Sequence, residues 1–454
     1  MNLPVLMPRI ESYLMPTALE SSKTKVNTKS IPISATHGAV AFIGVTTMIA
    51  GLVTLKIYPP FDGNPVECTL LLLSIVSVAI FSVDIFWQKV YLRESTGLDL
   101  SHADPSLSRV AIKYLGLLGS FGLVGLMYWL FQEYQHSFYE HYYEVLRIVV
   151  PTSLLLAIPY FYYVDSYMVD KHDGYWCVGQ LMLLRSGGID RQILSEHLMA
   201  ILIKGFFLPL MLVYMCNDLE EFFSHNIQLS DSFTHWYKFL INFLIMIDVG
   251  LASIGYMVSL RLLDNQVRSA EPTLLGWLVA LICYQPFFSL IGGQYLAYGS
   301  GYDWITWLEY APYSFYCAWG LTILGLTIIY TWATAMFGGR FSNLTNRGII
   351  TNGPYRWTKH PAYISKNLSW WLISIPFVVQ ESPENSLRHC LLLLGVNGIY
   401  WLRAKTEERH LSKDPTYRQY AEWINLYGIF RWLPDFWSCT GTKKPGMAES
   451  FEIR

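Results

Sequence analysis

The sequence predicts an all-α, polytopic integral membrane protein of about ten transmembrane helices, and three observations predict it. The first is composition. Of 454 residues, 53% are hydrophobic and only 15% charged, where a soluble domain carries about a quarter charged residues. The second is hydropathy, which divides most of the chain into apolar stretches of roughly 15–25 residues, near the length that crosses ~30 Å of hydrocarbon. The third is the alternation of Lys and Arg between successive loops. Helix is the conformation expected for each stretch, because backbone groups facing lipid must be satisfied within the segment itself.

Residues 1–37 are polar and rich in Ser and Thr, with Pro4, Pro8, Pro16 and Pro32, and are expected to form an N-terminal tail that is poorly ordered or lies on the membrane surface. The apolar run that follows is long enough to span, so no cleavable signal is expected. The spans fall near 38–56, 68–87, 114–131, 145–164, 198–216, 239–260, 273–292, 312–336, 361–379 and 387–402. Basic residues occupy the tail and alternate loops, with Lys89, Arg93, Arg109 and Lys113 in one, then Lys171, Arg185 and Arg191. Arg261 and Arg268 follow, and then Arg340, Arg347, Arg356 and Lys359. The intervening loops near 57–67, 132–144, 217–235, 293–311 and 380–386 contain no Lys or Arg. Such alternation puts both termini in the cytoplasm. A boundary is expected near residue 310, behind a loop whose Tyr302, Trp304, Trp307 and Tyr310 read as an interfacial aromatic belt. The organisation is then a tail (1–37), a seven-span region (38–310), a C-terminal core (311–436) and a second tail (437–454).

The net charge of −2 gives no reason to expect a nucleic-acid partner. The seven cysteines are scattered without a CxxC pair, which argues against a zinc site or a disulfide framework. No metal is expected. Asp165, Asp170, His172 and Asp173 form a short acidic loop of the kind that is usually solvated. The Glu-x-x-His spacing at Glu133 and His136 lacks the matching set on a second helix that a di-iron site needs.

The chemistry is concentrated in residues 341–436. There the chain reads FSNLTNRGIITNGPYRWTKHPAYISKN, then an apolar hairpin, then RAKTEERHLSKDPTYRQYAEW and a closing RWLPDF. By composition Asn352-Gly353-Pro354-Tyr355-Arg356 is a turn, and Pro361 suits the first turn of the helix that follows. His360 and Tyr363 then sit at the membrane boundary. Arg403 and Glu407 are four apart and share a helix face. Singly, His360-Pro361 reads as a helix cap and Arg403 with Glu407 as an exposed ion pair worth ~0.3–0.5 kcal/mol. Tyr417 and Tyr420 read as packing residues.

Taken together and in this order, these motifs resemble the core of the integral-membrane isoprenylcysteine carboxyl methyltransferase and phospholipid methyltransferase group, over about the last quarter of the chain. The resemblance implies S-adenosylmethionine as cofactor, with Tyr355, His360, Tyr363, Glu407 and Glu408 lining its pocket. It also implies a lipid or lipid-linked acceptor whose anionic group meets Arg403, with catalytic roles for Arg403 and His360. The chain departs from the family where an Arg commonly precedes the His (here Lys359) and where a Gly usually follows the Tyr (here Ser365, with Lys366 next). Lys366 adds a cation near the membrane entrance and bears on the substrate more than on the cofactor. Asp248, the deepest acid of the sixth span, is a further candidate for lining a headgroup cavity. Lys204 and Arg147 also lie within expected spans.

Two other classes stay open. Membrane sterol reductases share the HPxY run, the hairpin and the span number and use NADPH, although FSNLTNRGIITNGPYR and the TEER segment look like methyltransferase motifs. A non-catalytic lipid-binding scaffold is the third reading, and the intact HPAY and TEER runs argue against it.

Overall fold

A computed structural model describes residues 30–225, 228, 230–299, 303–379 and 382–432. The helices run in chain order as α1 (Gly38–Ile57), α2 (Pro65–Ser82), α3 (Leu107–Leu130), α4 (Glu140–Tyr167), α5 (Gly174–Met182), α6 (Arg191–Ser224) and α7 (Phe233–Met257). They continue as α8 (Leu274–Leu281), α9 (Phe287–Leu290), α10 (Trp304–Trp307), α11 (Tyr313–Ala335), α12 (Pro361–Ser374), α13 (Pro383–Leu411) and α14 (Pro415–Tyr427). A two-residue strand β1 (Ser269–Ala270) pairs antiparallel with β2 (Thr345–Asn346). The fold class is the expected one. Sequence punctuation starts many helices: Asn64, Ser382 and Asp414 accept backbone N–H bonds as N-caps, each followed by proline at the first helical position.

Among the described residues, seven helices are long and apolar enough to cross a membrane, α1, α2 and its extension to Trp87, α3, α4 with the turn before it, α6, α7 and α11. They match seven of the ten expected spans. The other three differ. The stretch 273–292 is helical only over Leu274–Leu281 and resumes at Phe287 beyond Pro286, which cannot continue the hydrogen-bond ladder. The stretch 361–379 stops at Ser374, because Ile375 turns left-handed at φ 37°. The stretch 387–402 lies inside the 29-residue α13, which continues ~13 Å past residue 402 as a charged extension.

The main core is shared between the first helices and the C-terminal ones, with Met48, Leu72, Phe207, Leu251 and Tyr420 among its buried members. Two small residues set the closest approach. A Cβ on Gly116 of α3 would lie 1.8 Å from the Tyr175 carbonyl oxygen of α5, and one on Gly179 of α5 would lie 2.0 Å from the Ile112 oxygen of α3. Close helix contact through small residues is the usual device inside membranes. Trp304 is 1% exposed and packs edge-on to Tyr237. It is a core residue rather than part of an aromatic belt. Tyr302 lies outside the described residues.

What positions the site is the knot of loops at the end of the bundle where α1 begins. Arg340, fully buried after α11, sits 3.7 Å from Asp84 and 3.6 Å from Asp264. Arg93 and Arg268 reach the same Asp264 at 3.4 and 3.1 Å. Buried charges persist only when paired, so this network ties α2, the loop after α7 and the loop after α11 into one unit. Arg347 is held differently: its guanidinium donates only to the backbone carbonyls of Gly255, Val258, Asn265 and Phe341. Burial, and then the nearby Arg340 charge, pulls it down to about 9, so it stays protonated at neutral pH. The end of the expected N-terminal tail joins the knot. Ala35 N donates to Ile349 O, Thr36 to Met336 O, and Asn352 back to Thr36 O. Residues 1–29 of that tail, and Pro434 with the second tail, lie outside the described residues.

The acidic loop of α4–α5 is also structural in its contacts. Asp165 pairs with Arg109 at 2.9 Å and Lys113 at 2.8 Å, and Asp173 with Lys113 at 3.3 Å. His172 stacks on Trp176. Among the described residues, no three His, Cys, Asp or Glu side chains converge as a metal site.

Candidate active site

The turn Gly353–Arg356 leads into α12, with His360 at its N-cap position. Gly353 has φ 56°, and a Cβ there would stand 2.7 Å from Met336 Cγ. Tyr420 of α14 donates to the Tyr355 carbonyl at 2.7 Å and so clamps the turn. Opposite, α13 presents Tyr400, Arg403 and Glu407 at three- and four-residue spacing, one face of the helix. Between α12, α13, the end of α11 and the loop 341–345 lies a partly open cavity of about 110 Å³.

The site's charges are arranged in sequence along α13. At the apolar end, the Arg403 guanidinium donates to Asn343 Oδ1 at 2.6 Å and lies 5.1 Å from the Tyr363 ring centroid, 5.5 Å from Tyr284 and 5.8 Å from Tyr400. The Lys366 ammonium lies 5.4 Å from the rings of both Tyr330 and Trp370. Each cation is solvated by π faces. One turn on from Arg403, Glu407 accepts a hydrogen bond from Tyr363 Oη at 2.8 Å. Arg403 and Glu407 therefore turn to separate partners, Asn343 and Tyr363, in place of the ion pair that their spacing allowed.

Glu408, on the adjacent face, accepts from His360 Nε2 at 3.0 Å and Lys359 Nζ at 3.3 Å, with Lys405 at 3.6 Å. Burial favours the neutral acid, but the His360 bond and the charges of His360, Lys359 and Lys405 outweigh it and hold the carboxyl at about 2. Its ordinary value is 4.5. A carboxyl depressed on folding contributes stability that is complete above its unfolded value and is lost as pH falls towards the folded one. Glu408→Gln is expected to lower the thermal midpoint at pH 7 and to lose less stability than the parent between pH 4.5 and about 2. Equal acid profiles for the two proteins would mean that Glu408 does not hold His360.

Of the residues singled out in the sequence, Tyr355, His360, Tyr363, Lys366, Arg403 and Glu407 line this cavity. Glu408 and Asp248 do not. Glu408 orients His360 from behind. Asp248 accepts from Tyr330 Oη at 2.9 Å and so stands one residue removed from the cavity wall. Arg147 is exposed on α4, and Lys204 of α6 also lies outside the cavity. Sequence reasoning missed Glu271, Tyr284, Tyr330, Asn343 and Tyr400, all lining residues. Tyr400 was findable, three residues before Arg403 on the same face. Tyr284 lies in the YQPF run, where the proline reads only as a kink. Glu271 has no local signal.

The fold is an all-helical, polytopic membrane protein whose last helices enclose a cavity lined by both charged and aromatic side chains. Residues 319–413 match the model of the Isoprenylcysteine carboxyl methyltransferase (ICMT) family. No curated protein and no solved structure matches the chain. The matched stretch includes His360, Tyr363, Lys366, Arg403 and Glu407, and excludes Asp248, Glu271 and Tyr284.

Proposed function

We propose that the protein transfers a methyl group from S-adenosylmethionine to an anionic lipidic or lipid-linked acceptor at the cytoplasmic face of the membrane. One observation carries this reading. Two cations, Arg403 and Lys366, and one carboxylate, Glu407, face a single cavity without neutralising one another. Among the described residues, neither cation has a carboxylate within ion-pair distance. Arg403 is buried and the other two half-buried, and charges left apart in such a wall ask for charged ligands of opposite sign.

The residues fit the cofactor. Glu407 is the group to meet its cationic portion, and the rings of Tyr363 and Tyr355 offer flat faces. When bound, S-adenosylmethionine supplies an electrophilic methyl group on sulfur. The chain supplies orientation, which can account for much of a barrier reduction. Arg403, with its planar fork and its place among three phenol rings, fixes the acceptor's anionic group, and Lys366 lies on the same aromatic wall. A carboxylate acceptor has no proton to lose and needs no base. An amine or hydroxyl needs one, and His360 is in position for it. Its ring lines the cavity, with Nε2 3.0 Å from Glu408 Oε1.

Full-length protein in lipid nanodiscs, given methyl-labelled S-adenosylmethionine and a membrane extract, is expected to place label in lipids or lipidated proteins. Tight NADPH binding with no binding of either S-adenosylmethionine or S-adenosylhomocysteine would overturn the proposal and favour a reductase. Label in neither fraction from a folded protein would favour a scaffold.

A further inference from the structure

Glu271, beside β1, and His410, seven residues and on the order of 10 Å beyond Arg403 along α13, both face the cavity. Both are buried, 2% and 4% exposed. Each carries one polar atom with no hydrogen-bond partner, Glu271 Oε2 and His410 Nδ1. These two atoms are 3.8 Å apart. Everything else on the two side chains is satisfied. Glu271 Oε1 accepts from Thr273 N at 3.0 Å and Arg409 Nη2 at 3.3 Å, and His410 Nε2 lies 3.2 Å from Ser269 Oγ. Buried polar groups are almost always paired, so a pair of orphaned atoms in a cavity wall points to a missing ligand.

The chemistry of the pair narrows the ligand. Burial pulls the His410 imidazole down, against the raising effect of Glu271, so it is neutral at pH 7. A neutral ring that gives its Nε2 proton to Ser269 offers Nδ1 as an acceptor. The site then presents two acceptors side by side and needs two donors. Arg409 already balances the carboxylate's charge, which disfavours a cationic ligand and leaves neutral hydroxyls. We infer that Glu271 and His410 form a polar subsite that receives the two vicinal hydroxyls of a ribose. A carboxylate that accepts from a ribose hydroxyl is a recurrent solution in nucleotide sites.

The inference rests on the proposed methyl-transfer reading, which brings a ribose into the cavity. It adds that the seven-span region contributes to cofactor recognition, because Glu271 lies outside the family match. β1–β2 pairing delivers it: Glu271 N donates to Leu344 O at 2.8 Å, beside the strand pair.

The test is calorimetric binding to the full-length protein of S-adenosylhomocysteine and of its 2′-deoxy and 3′-deoxy ribose analogues. The parent is expected to bind the intact ribose roughly 10- to 100-fold more tightly than either analogue, the loss that follows when a buried charged acceptor is left unpaired. In Glu271→Gln that discrimination is expected to shrink to about threefold or less. Equal affinity of the parent for all three compounds overturns the subsite while leaving methyl transfer intact. Absence of binding by S-adenosylhomocysteine overturns both. If Glu271→Gln does not fold, the comparison within the parent decides alone.

Discussion

Arg403→Gln is expected to reduce turnover by about two to three orders of magnitude while S-adenosylhomocysteine affinity stays within about threefold of the parent. The size follows from what is removed. Truncating one partner of a buried, hydrogen-bonded charge pair typically costs 2–5 kcal/mol, which is roughly 30- to 5,000-fold. The loss should fall on the acceptor because Arg403 occupies the part of the cavity walled by Tyr284, Tyr363 and Tyr400, whereas the turn that holds Tyr355 is clamped by Tyr420. Gln keeps a donor for Asn343 Oδ1, so local order is retained better than with Ala. Arg403→Lys is the informative companion. It keeps the charge and loses the planar fork, and an intermediate rate identifies bidentate recognition. Full activity of Arg403→Gln on every acceptor tested would remove Arg403 from the mechanism.

Glu407→Gln is expected to weaken S-adenosylhomocysteine binding by roughly 10- to 100-fold, since a charge-assisted hydrogen bond worth ~1.5–3 kcal/mol becomes a neutral one. The parent's thermal stabilisation by that compound should shrink accordingly. The fold around the site should persist, because Tyr363 Oη can donate to an amide oxygen as it does to the carboxylate at 2.8 Å. A variant that binds as tightly as the parent would place the cofactor's cationic end elsewhere. Arg403 and Glu407 lie one turn apart with Tyr363 touching both, so the two effects will couple. A double-mutant cycle measures how much.

Much of the site was legible because it is locally encoded. His360 and Tyr363 are three residues apart across a proline-started helix, and Arg403 and Glu407 share a face of another, so spacing alone puts each pair together. Which pairs would meet was not local. The spacing of Arg403 and Glu407 suggested a mutual ion pair, yet Asn343 and Tyr363 intervene, one from a loop 60 residues back and one from the neighbouring helix. Glu408 and Glu407 are adjacent in sequence and face opposite duties, since a helix turns about 100° per residue. Only the position of α12 decides which of the two meets His360.

The sequence by itself determined that the chain is an all-helical membrane protein, where its seven strongest spans lie, and that its family resemblance lies in the C-terminal region. Those properties depend on composition, on hydropathy over one span length and on short-range helix periodicity. The tertiary structure alone decided that Glu271 and Tyr284, from before residue 310, complete the cavity, that Asp248 stands behind Tyr330, and that Trp304 is core. It also decided that residues 35–36 are bonded to 336–352. Each of these depends on contacts between segments tens to hundreds of residues apart. Those contacts are set by which buried charges find partners, as with Arg340 between Asp84 and Asp264, and by which carbonyls are left for Arg347 to cap. Pairing of that kind is a property of the assembled chain, because a buried charge is tolerated only where a distant residue comes to meet it.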